Sequence, residues 1–194
     1  MCYELLKKHL KGDYVIIEPA AGDGKLMDVV DNTEVFGFDL FPEREDIVRN
    51  DFLEFPSRPY EVETDKTKVT FANPPFGTRG AMCKTFIDEA LNHSDIIGFI
   101  VPNSFKTHCK KYKVIDYLRL PINGFTYADE DYEVNCYFVV ITNNEDTESK
   151  TEDFLKDNEY NPEDKEIPQL ADKDFINHWV EYIITKIRLK YEII

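Results

Sequence analysis

The stretch YVIIEPAAGDG, Tyr14 to Gly24, indicates which class of fold to expect. Its first five residues form an apolar run of strand length that ends in Glu18, and PAAGDG is a turn of small residues before a helix-like KLMDVV segment. A buried strand, a turn and a helix make the first unit of an open α/β sheet. Ligands of such sheets bind beyond the carboxyl ends of the strands, so Glu18 and its successors mark the expected site.

The alternation of strands and helices continues to about residue 142. Further strands are predicted in EVFGFD, IVRNDFLEF, KVTFA, IIGFIVP, INGFTYA and NCYFVVIT, and helices in CYELLKKHL and GAMCKTFIDEALNH. The lysine-rich segment after IIGFIVP is predicted to be helical or irregular. This pattern favours a mostly parallel sheet with helices on both faces. The last two strands, separated by an acidic turn, favour a hairpin and hence one antiparallel edge strand.

Composition divides the chain into three segments. Residues 1–143 are predicted to form one domain. Between Glu145 and Glu166 there are ten acidic and three basic residues, which predicts a linker or mobile loop over 144–168. Residues 169–194 predict an amphipathic helix with an apolar stripe formed by Phe175, Trp179, Ile183 and Ile187. We expect that helix to pack on the same domain; the alternative is docking on a partner or a second copy.

Residue counts narrow the classes of protein to consider. A chain of 194 residues can bury a core without a stabilising metal or disulfide. The four cysteines form no CxxC pair and the four histidines show no ligand spacing, which predicts reduced thiols, no metal site and a cytoplasmic location. No apolar run reaches the length of a membrane span.

The formal net charge of −15 argues against nucleic-acid binding over the whole surface. The acidic tract alone contributes −7 of that charge, from ten acidic and three basic residues. Basic residues gather elsewhere, at Arg79, Lys84, Lys106, Lys110, Lys111 and Lys113. They form either a local basic rim that suits a polyanion or an ordinary solvated face.

The stretch FANPPFG, Phe71 to Gly77, follows the predicted strand KVTFA. Pro74 and Pro75 cannot continue a sheet ladder and hold the backbone extended. They leave the Asn73 amide and the Pro74 carbonyl on a rigid support, with Phe76 nearby. This arrangement indicates a site for a planar polar group; the alternative is a turn that merely ends the strand.

The ends of the first three strands suit a positively charged adenosine ligand. Small or rigid residues that allow a ligand close to the backbone follow the first strand: Pro19, Ala20, Gly22 and Gly24. Glu18 disfavours a pyrophosphate there and favours a cation. Asp39, after the second strand, suits the two hydroxyls of a ribose. After the third strand, Asp51 is predicted to accept a hydrogen bond from the exocyclic amine of an adenine, and Phe52 is predicted to cover one face of that adenine.

Taken in order, EPAAGDG, Asp39, Asp51 and NPPF resemble the class I S-adenosylmethionine-dependent methyltransferases, over residues 14–142. Within that class the chain resembles the amino-group enzymes with an NPPF or NPPY motif. The resemblance implies a Rossmann-like seven-stranded sheet and S-adenosylmethionine as cofactor. It also implies that Asn73, beside the cofactor, and the Pro74 carbonyl accept the two amine hydrogens, that Pro75 supplies rigidity, and that Phe76 stacks on the target base.

Related enzymes methylate adenine N6 in DNA or RNA, or glutamine amides in proteins. EPAAGDG and the phenylalanine of NPPF resemble the nucleic-acid enzymes, so adenine N6 of DNA or RNA is the favoured acceptor. No target-recognition domain is evident, and NPPFGT resembles a ribosomal-RNA enzyme that works with a small activator protein. We therefore expect an activating partner or a homodimer through the C-terminal helix. The alternatives are a protein-glutamine or small-molecule amine methyltransferase and a catalytically silent subunit of a complex.

Overall fold

The computed structural model describes residues 1–54, 62, 64–121, 125–127, 130–132 and 135–157. The described α-helices are α1 (Cys2–Lys7), α2 (Ala81–Ala90) and α3 (Thr151–Lys156). Single turns or longer runs of 3₁₀ helix occupy Met27–Val29, Thr78–Gly80 and Asn103–Lys111. The described strands are β1 (Tyr14–Glu18), β2 (Val35–Asp39), β3 (Val48–Arg49), β4 (Thr67–Ala72), β5 (Ile96–Pro102), β6 (Val114–Arg119), β7 (Phe125–Tyr127), β8 (Glu130–Tyr132) and β9 (Cys136–Thr142).

Seven strands form one mixed sheet in the order β3-β2-β1-β4-β5-β9-β6. Strands β1 to β5 run parallel, and β9 runs antiparallel to both of its neighbours. The predicted fold class, a Rossmann-like and mostly parallel seven-stranded sheet, is confirmed. The antiparallel strand β9 lies one place inside the edge, because β6 occupies the edge itself.

The strand β6 was not predicted, and the partner of β9 differs from the expectation. The segment VIDYLR follows a run of lysines that favoured an irregular structure, yet it pairs with β9 from Val114↔Ile141 to Arg119↔Tyr137. The predicted strand near INGFTYA pairs instead with β8 in a separate two-stranded sheet. The hairpin that supplies the antiparallel strand is therefore β6–β9, with β7 and β8 inserted between its arms.

The predicted helix after β1 is reduced to the single 3₁₀ turn Met27–Val29. β-Branched valines at 29 and 30 lose side-chain freedom in a helix and do not favour its extension. The Met27 side chain packs against Gly37 of β2, where any Cβ would collide with its sulfur. The Met27 side chain therefore packs on β2 at a position where a longer helix would be expected to pack.

Two hydrophobic cores cover the two faces of the sheet, because successive side chains of a strand point to opposite faces. Ile17 faces a core with α2, α3 and the 103–111 segment, whereas Ile16 faces a core with α1. Helices on both faces are confirmed. Phe154 of α3 is fully buried in the first core. The part of the predicted 144–168 linker that forms α3 is therefore a helix packed on the domain. Residues 158–168 of that predicted linker and the predicted helix over 169–194 lie outside the described residues.

Among the described helices, none combines the length and the apolar character that crossing a membrane requires. The four cysteines carry free thiols, and three of them are buried.

Candidate functional site

The chain reverses its direction of winding between β1 and β4. These strands are neighbours in the sheet, but β2 and β3 lie on one side of them and β5 on the other. Glu18 ends β1, and Asn73 directly follows the end of β4. The backbone of Asn73 lies close enough to the Glu18 carboxyl group to lower the pKa of that group. The two motifs that sequence analysis singled out therefore meet where ligands of open α/β sheets bind.

Glu18 is a buried carboxyl group with incomplete hydrogen bonding. Its side chain is 1% exposed, and Oε2 has no partner among the described residues. Burial raises the pKa of Glu18 well above its usual value, and the nearby carboxylates of Asp39 and Asp23 raise it further. Removing a carboxylate from water without a partner costs several kcal/mol. A positively charged ligand beside Glu18 would offset that cost.

The loop after β1 is fixed to the end of β2 by its own backbone. The Ala21 N–H donates to the Phe38 carbonyl at 3.0 Å, and the Gly22 N–H donates to Asp39 Oδ2 at 2.8 Å. Pro19 is buried and Ala20 is half-buried. Gly24, with φ +80°, has the left-handed conformation that favours glycine. The predicted small-residue loop thus lies against the second strand in one defined conformation.

Arg44 fastens this loop to the segment after β2, and sequence analysis did not single it out. Its Nη1 donates to the Gly24 carbonyl at 3.2 Å and to Asp28 Oδ1 at 2.7 Å. Nε and Nη2 donate to the two carboxylate oxygens of Asp46 at 3.0 and 2.7 Å. The guanidinium lies so close to Gly24 that any Cβ there would collide with it. The charged sequence FPERED carried no signal for this role, because the partners of Arg44 lie up to 20 residues earlier.

Asp39 is held in one orientation at the end of β2. Its Oδ2 accepts from the Gly22 N–H and its Oδ1 accepts from the Phe41 N–H at 2.7 Å. A carboxylate offers about four acceptor positions, so both oxygens can still accept from a ligand. Asp51 is half-buried, and its Oδ1 accepts from the Leu53 N–H at 3.0 Å. The orientation of Asp39 is compatible with the predicted contact to two hydroxyl groups.

Phe52 lies in the core and not on an open surface. Its side chain is 2% exposed, and its ring stacks on Phe86 with 5.0 Å between centroids and 17° between planes. The ring thus packs within the core, and the contact of Phe52 with an adenine stays a prediction. A phenylalanine after a two-residue strand carries no local signal for the side of the sheet that it faces.

The NPPF motif ends β4 as predicted. Asn73 and Pro75 are exposed, Pro74 is buried, and Phe76 is half-buried against the core that contains α1. The Phe76 carbonyl accepts hydrogen bonds from the N–H groups of Met82 and Cys83 in the first turn of α2. The motif is thereby anchored at both ends, to β4 and to α2, while Asn73 remains exposed.

The predicted basic rim is smaller than its lysine content indicated. Lys84 and Lys111 form ion pairs with Asp88 at 2.7 and 2.5 Å. The ammonium group of Lys106 donates to Tyr137 Oη at 3.2 Å and to the Asp157 carbonyl, and that of Lys113 donates to two backbone carbonyls. Arg79 and Lys110 are exposed and have no acidic partner among the described residues. Across the residues that the structure describes, no cluster of three or more acidic, histidine or cysteine residues could hold a metal ion.

No protein-family model and no curated protein matches the sequence. A solved structure of a candidate RNA methyltransferase from Pyrococcus horikoshii is 16% identical, with 73% of this chain and 80% of that chain covered and a TM-score of 0.49. An rRNA methylase from Streptococcus thermophilus is 7% identical, with 73% and 93% covered and a TM-score of 0.43.

A complex from E. cuniculi responsible for methylation of a translation termination factor is similar at 13% identity. The match covers 73% of this chain and 91% of that chain, with a TM-score of 0.44. Similarity at this level leaves the activity of this chain to be argued from its own residues.

Proposed function

We propose that this protein is an S-adenosylmethionine-dependent methyltransferase that acts on the exocyclic N6 amine of adenine in DNA or RNA. The observation that carries the proposal is the meeting of Glu18 and Asn73 at the switch point between β1 and β4. It brings a negatively charged cofactor loop and an exposed NPPF motif to one place.

The charge of the cofactor loop supports a cationic cofactor. Glu18 lies buried beside Asp39 and Asp23, and one of its oxygens has no partner among the described residues. S-adenosylmethionine carries an ammonium and a sulfonium group, and when bound it supplies an electrophilic methyl group. Glu18 would stabilise this positive charge, and Asp39 would accept the ribose hydroxyl protons. A pyrophosphate ligand would meet three carboxylates instead, which strongly disfavours it.

The NPPF motif supports an amine acceptor. The Asn73 side-chain oxygen and the Pro74 carbonyl would each accept a hydrogen bond from one N–H of the amine. These two hydrogen bonds would favour a pyramidal nitrogen whose lone pair is available for the reaction. Transfer would form the nitrogen–carbon bond as the carbon–sulfur bond breaks, with a neutral thioether as the leaving group, and the methylated amine would release its proton to solvent. Pro74 and Pro75 fix these acceptors before the reaction, which is a contribution of orientation. Phe76 would stack on the base with an energy of about 1–3 kcal/mol.

Transfer of labelled methyl groups to matched DNA, RNA and total-protein pools tests the proposal, with the products identified as nucleosides or amino acids. We expect N6-methyladenine in one nucleic-acid pool, and the pool that carries it decides between DNA and RNA. Methylglutamine alone would overturn the proposed acceptor and favour a protein-glutamine methyltransferase.

A partner is part of the same proposal. Because the described domain offers few unpaired basic groups, an activating protein or a second copy is expected to add affinity for the nucleic acid. Light scattering of the active sample measures its mass, and a monomer with full activity contradicts this part. Cofactor binding by calorimetry without transfer to any pool, even with a cell extract added, would indicate a silent subunit.

A further inference from the structure

The loop that follows NPPF contains an arginine in a conformation that arginine disfavours. Gly77 and Gly80 have φ values of +65° and +75°, and Arg79 between them has φ +52° and ψ +33°. Glycine adopts positive φ freely, whereas a side chain with a Cβ is strained there. Of the described residues other than glycine, only Asn32 shares this feature with Arg79, and asparagine tolerates it far better.

The surrounding structure imposes this conformation on Arg79. The ring Nε2 of His108 donates a hydrogen bond to the Arg79 carbonyl at 3.1 Å. The Gly80 N–H donates a hydrogen bond to the Gly77 carbonyl at 3.2 Å. A Cβ at Gly80 would lie 3.4 Å from the backbone of Phe105. The loop therefore lies in contact with the 103–111 segment. Glycine at position 79 would fit the same backbone without strain.

The Arg79 side chain gains no described contact that offsets this strain. It is exposed, and no described carboxylate pairs with it. Lys110 lies exposed on the segment that supports the loop, and the nearby Asp88 is already paired with Lys84 and Lys111. Positive charge therefore remains uncompensated three residues after Phe76, on a protein whose net charge is −15. Backbone strain that no side-chain contact offsets is typical of functional positions.

We propose that Arg79 binds a phosphate of the nucleic-acid backbone next to the target base. The planar guanidinium can donate two parallel hydrogen bonds to a phosphodiester, which a flexible lysine does less well. A rigid loop directly after NPPF places this contact at a fixed distance from Asn73. Arg79 is thus a positioning residue: it fixes the strand, and Asn73 meets the base. This inference rests on the proposed function, since it requires a nucleic-acid acceptor.

The substitution Arg79→Gly separates the two consequences of this arrangement. Because it removes the strain, we expect a higher unfolding midpoint than that of the wild type. Because it removes a phosphate contact, we expect the KM for the methylated DNA or RNA to rise about tenfold at low salt, with kcat and cofactor affinity within about twofold. The slope of log KM against log salt concentration should fall by roughly 0.7–0.9.

Two further variants complete the test. Arg79→Lys keeps the charge, so it should retain most of the salt slope with a smaller rise in KM. Lys8→Gln removes one exposed charge directly after α1 and should leave KM and slope unchanged.

The outcomes distinguish this inference from the proposed function. An unchanged KM and salt slope in Arg79→Gly, in a wild type that methylates nucleic acid, overturns the phosphate contact alone. A lower unfolding midpoint for Arg79→Gly would assign the arginine a structural role and also overturn it. A wild type that methylates only protein overturns the proposed acceptor and this inference together.

Discussion

Two loops form the candidate site, and different forces hold them. The loop after β1 is held by charged groups: Asp39 accepts from its backbone, and Arg44 binds its Gly24 carbonyl. The loop after β4 is held by chain stereochemistry, through two prolines and two left-handed glycines. We infer that salt and pH perturb the first loop, whereas the second responds chiefly to substitutions that change backbone freedom.

Each mode of support suits the ligand proposed for it. The first loop lacks a long helix behind it among the described residues, and its carboxylates would serve both the fold and the proposed cationic cofactor. The second loop must keep one amide oriented while a neutral base enters. Prolines achieve this without charges that would compete for hydrogen bonds with the amine.

The largest effect is expected at the start of the second loop. Asn73→Ala should lower kcat by on the order of 10² or more, because it removes a preorganised contact to the reacting amine. The dissociation constant of S-adenosylmethionine, measured by calorimetry, should change little. Asn92→Ala, at the exposed C-terminal end of α2, is the matched control. Full methyl transfer by Asn73→Ala would contradict the proposed mechanism.

Glu18→Gln should affect cofactor binding and stability in opposite directions. Loss of a charged contact is worth about 1.5–3 kcal/mol, so cofactor affinity should fall by roughly ten- to a hundredfold. The protein without cofactor should become more stable at neutral pH, because a neutral amide avoids burying an unpaired charge. Exposed Glu34→Gln is the control.

The pH dependence of that stability difference follows from the raised pKa of Glu18. Below the usual carboxyl pKa of 4.5 the group is protonated whether folded or unfolded, so wild type and variant should be equally stable. As pH rises, the unfolded chain releases its proton first and the wild type loses stability. The gap should widen until the folded pKa is passed. Urea unfolding at pH 4 and pH 8 measures it, and a gap that narrows with pH refutes the assignment.

Arg44→Met tests whether ionic contacts order the first loop. We expect cofactor affinity to fall about three- to tenfold and kcat to change less, since exposed ion pairs are individually weak. The defect should be most evident at low salt, where the wild-type contacts are strongest. Lys66→Met breaks a single exposed ion pair with Glu34 and should leave binding intact. Equal affinities for both variants would remove Arg44 from this role.

The smallest effect is expected for Pro75→Ala in the second loop. The exposed proline restricts the unfolded chain, so its loss should lower the free energy of unfolding by about 0.4–1 kcal/mol. We expect kcat to fall about twofold and cofactor affinity to stay constant. Chemical unfolding and steady-state kinetics check both. A salt-dependent defect in this variant would erase the contrast between the two loops.

The strands that carry the site were predictable because their sequences are unambiguous. YVIIE and KVTFA are short apolar runs, and each is closed by a residue that ends a strand. The strand β6 was missed because its alternation is interrupted by Asp116, where the pairing with β9 also shifts register. The burial of Phe52 was missed because its environment is formed by Phe86, which lies 34 positions later in the chain.

The sequence by itself determined the fold class, the strands that carry the site and the two motifs of the site, because apolar periodicity, proline and glycine act over a few neighbouring residues. Only the tertiary structure decided that Asn73 lies beside the Glu18 carboxyl group, that Arg44 binds the Gly24 carbonyl and that Lys84 and Lys111 pair with Asp88. Those outcomes depend on burial and on charges brought together from distant positions. The strength of both is set by the surroundings of a residue in the folded chain and not by its neighbours in the sequence.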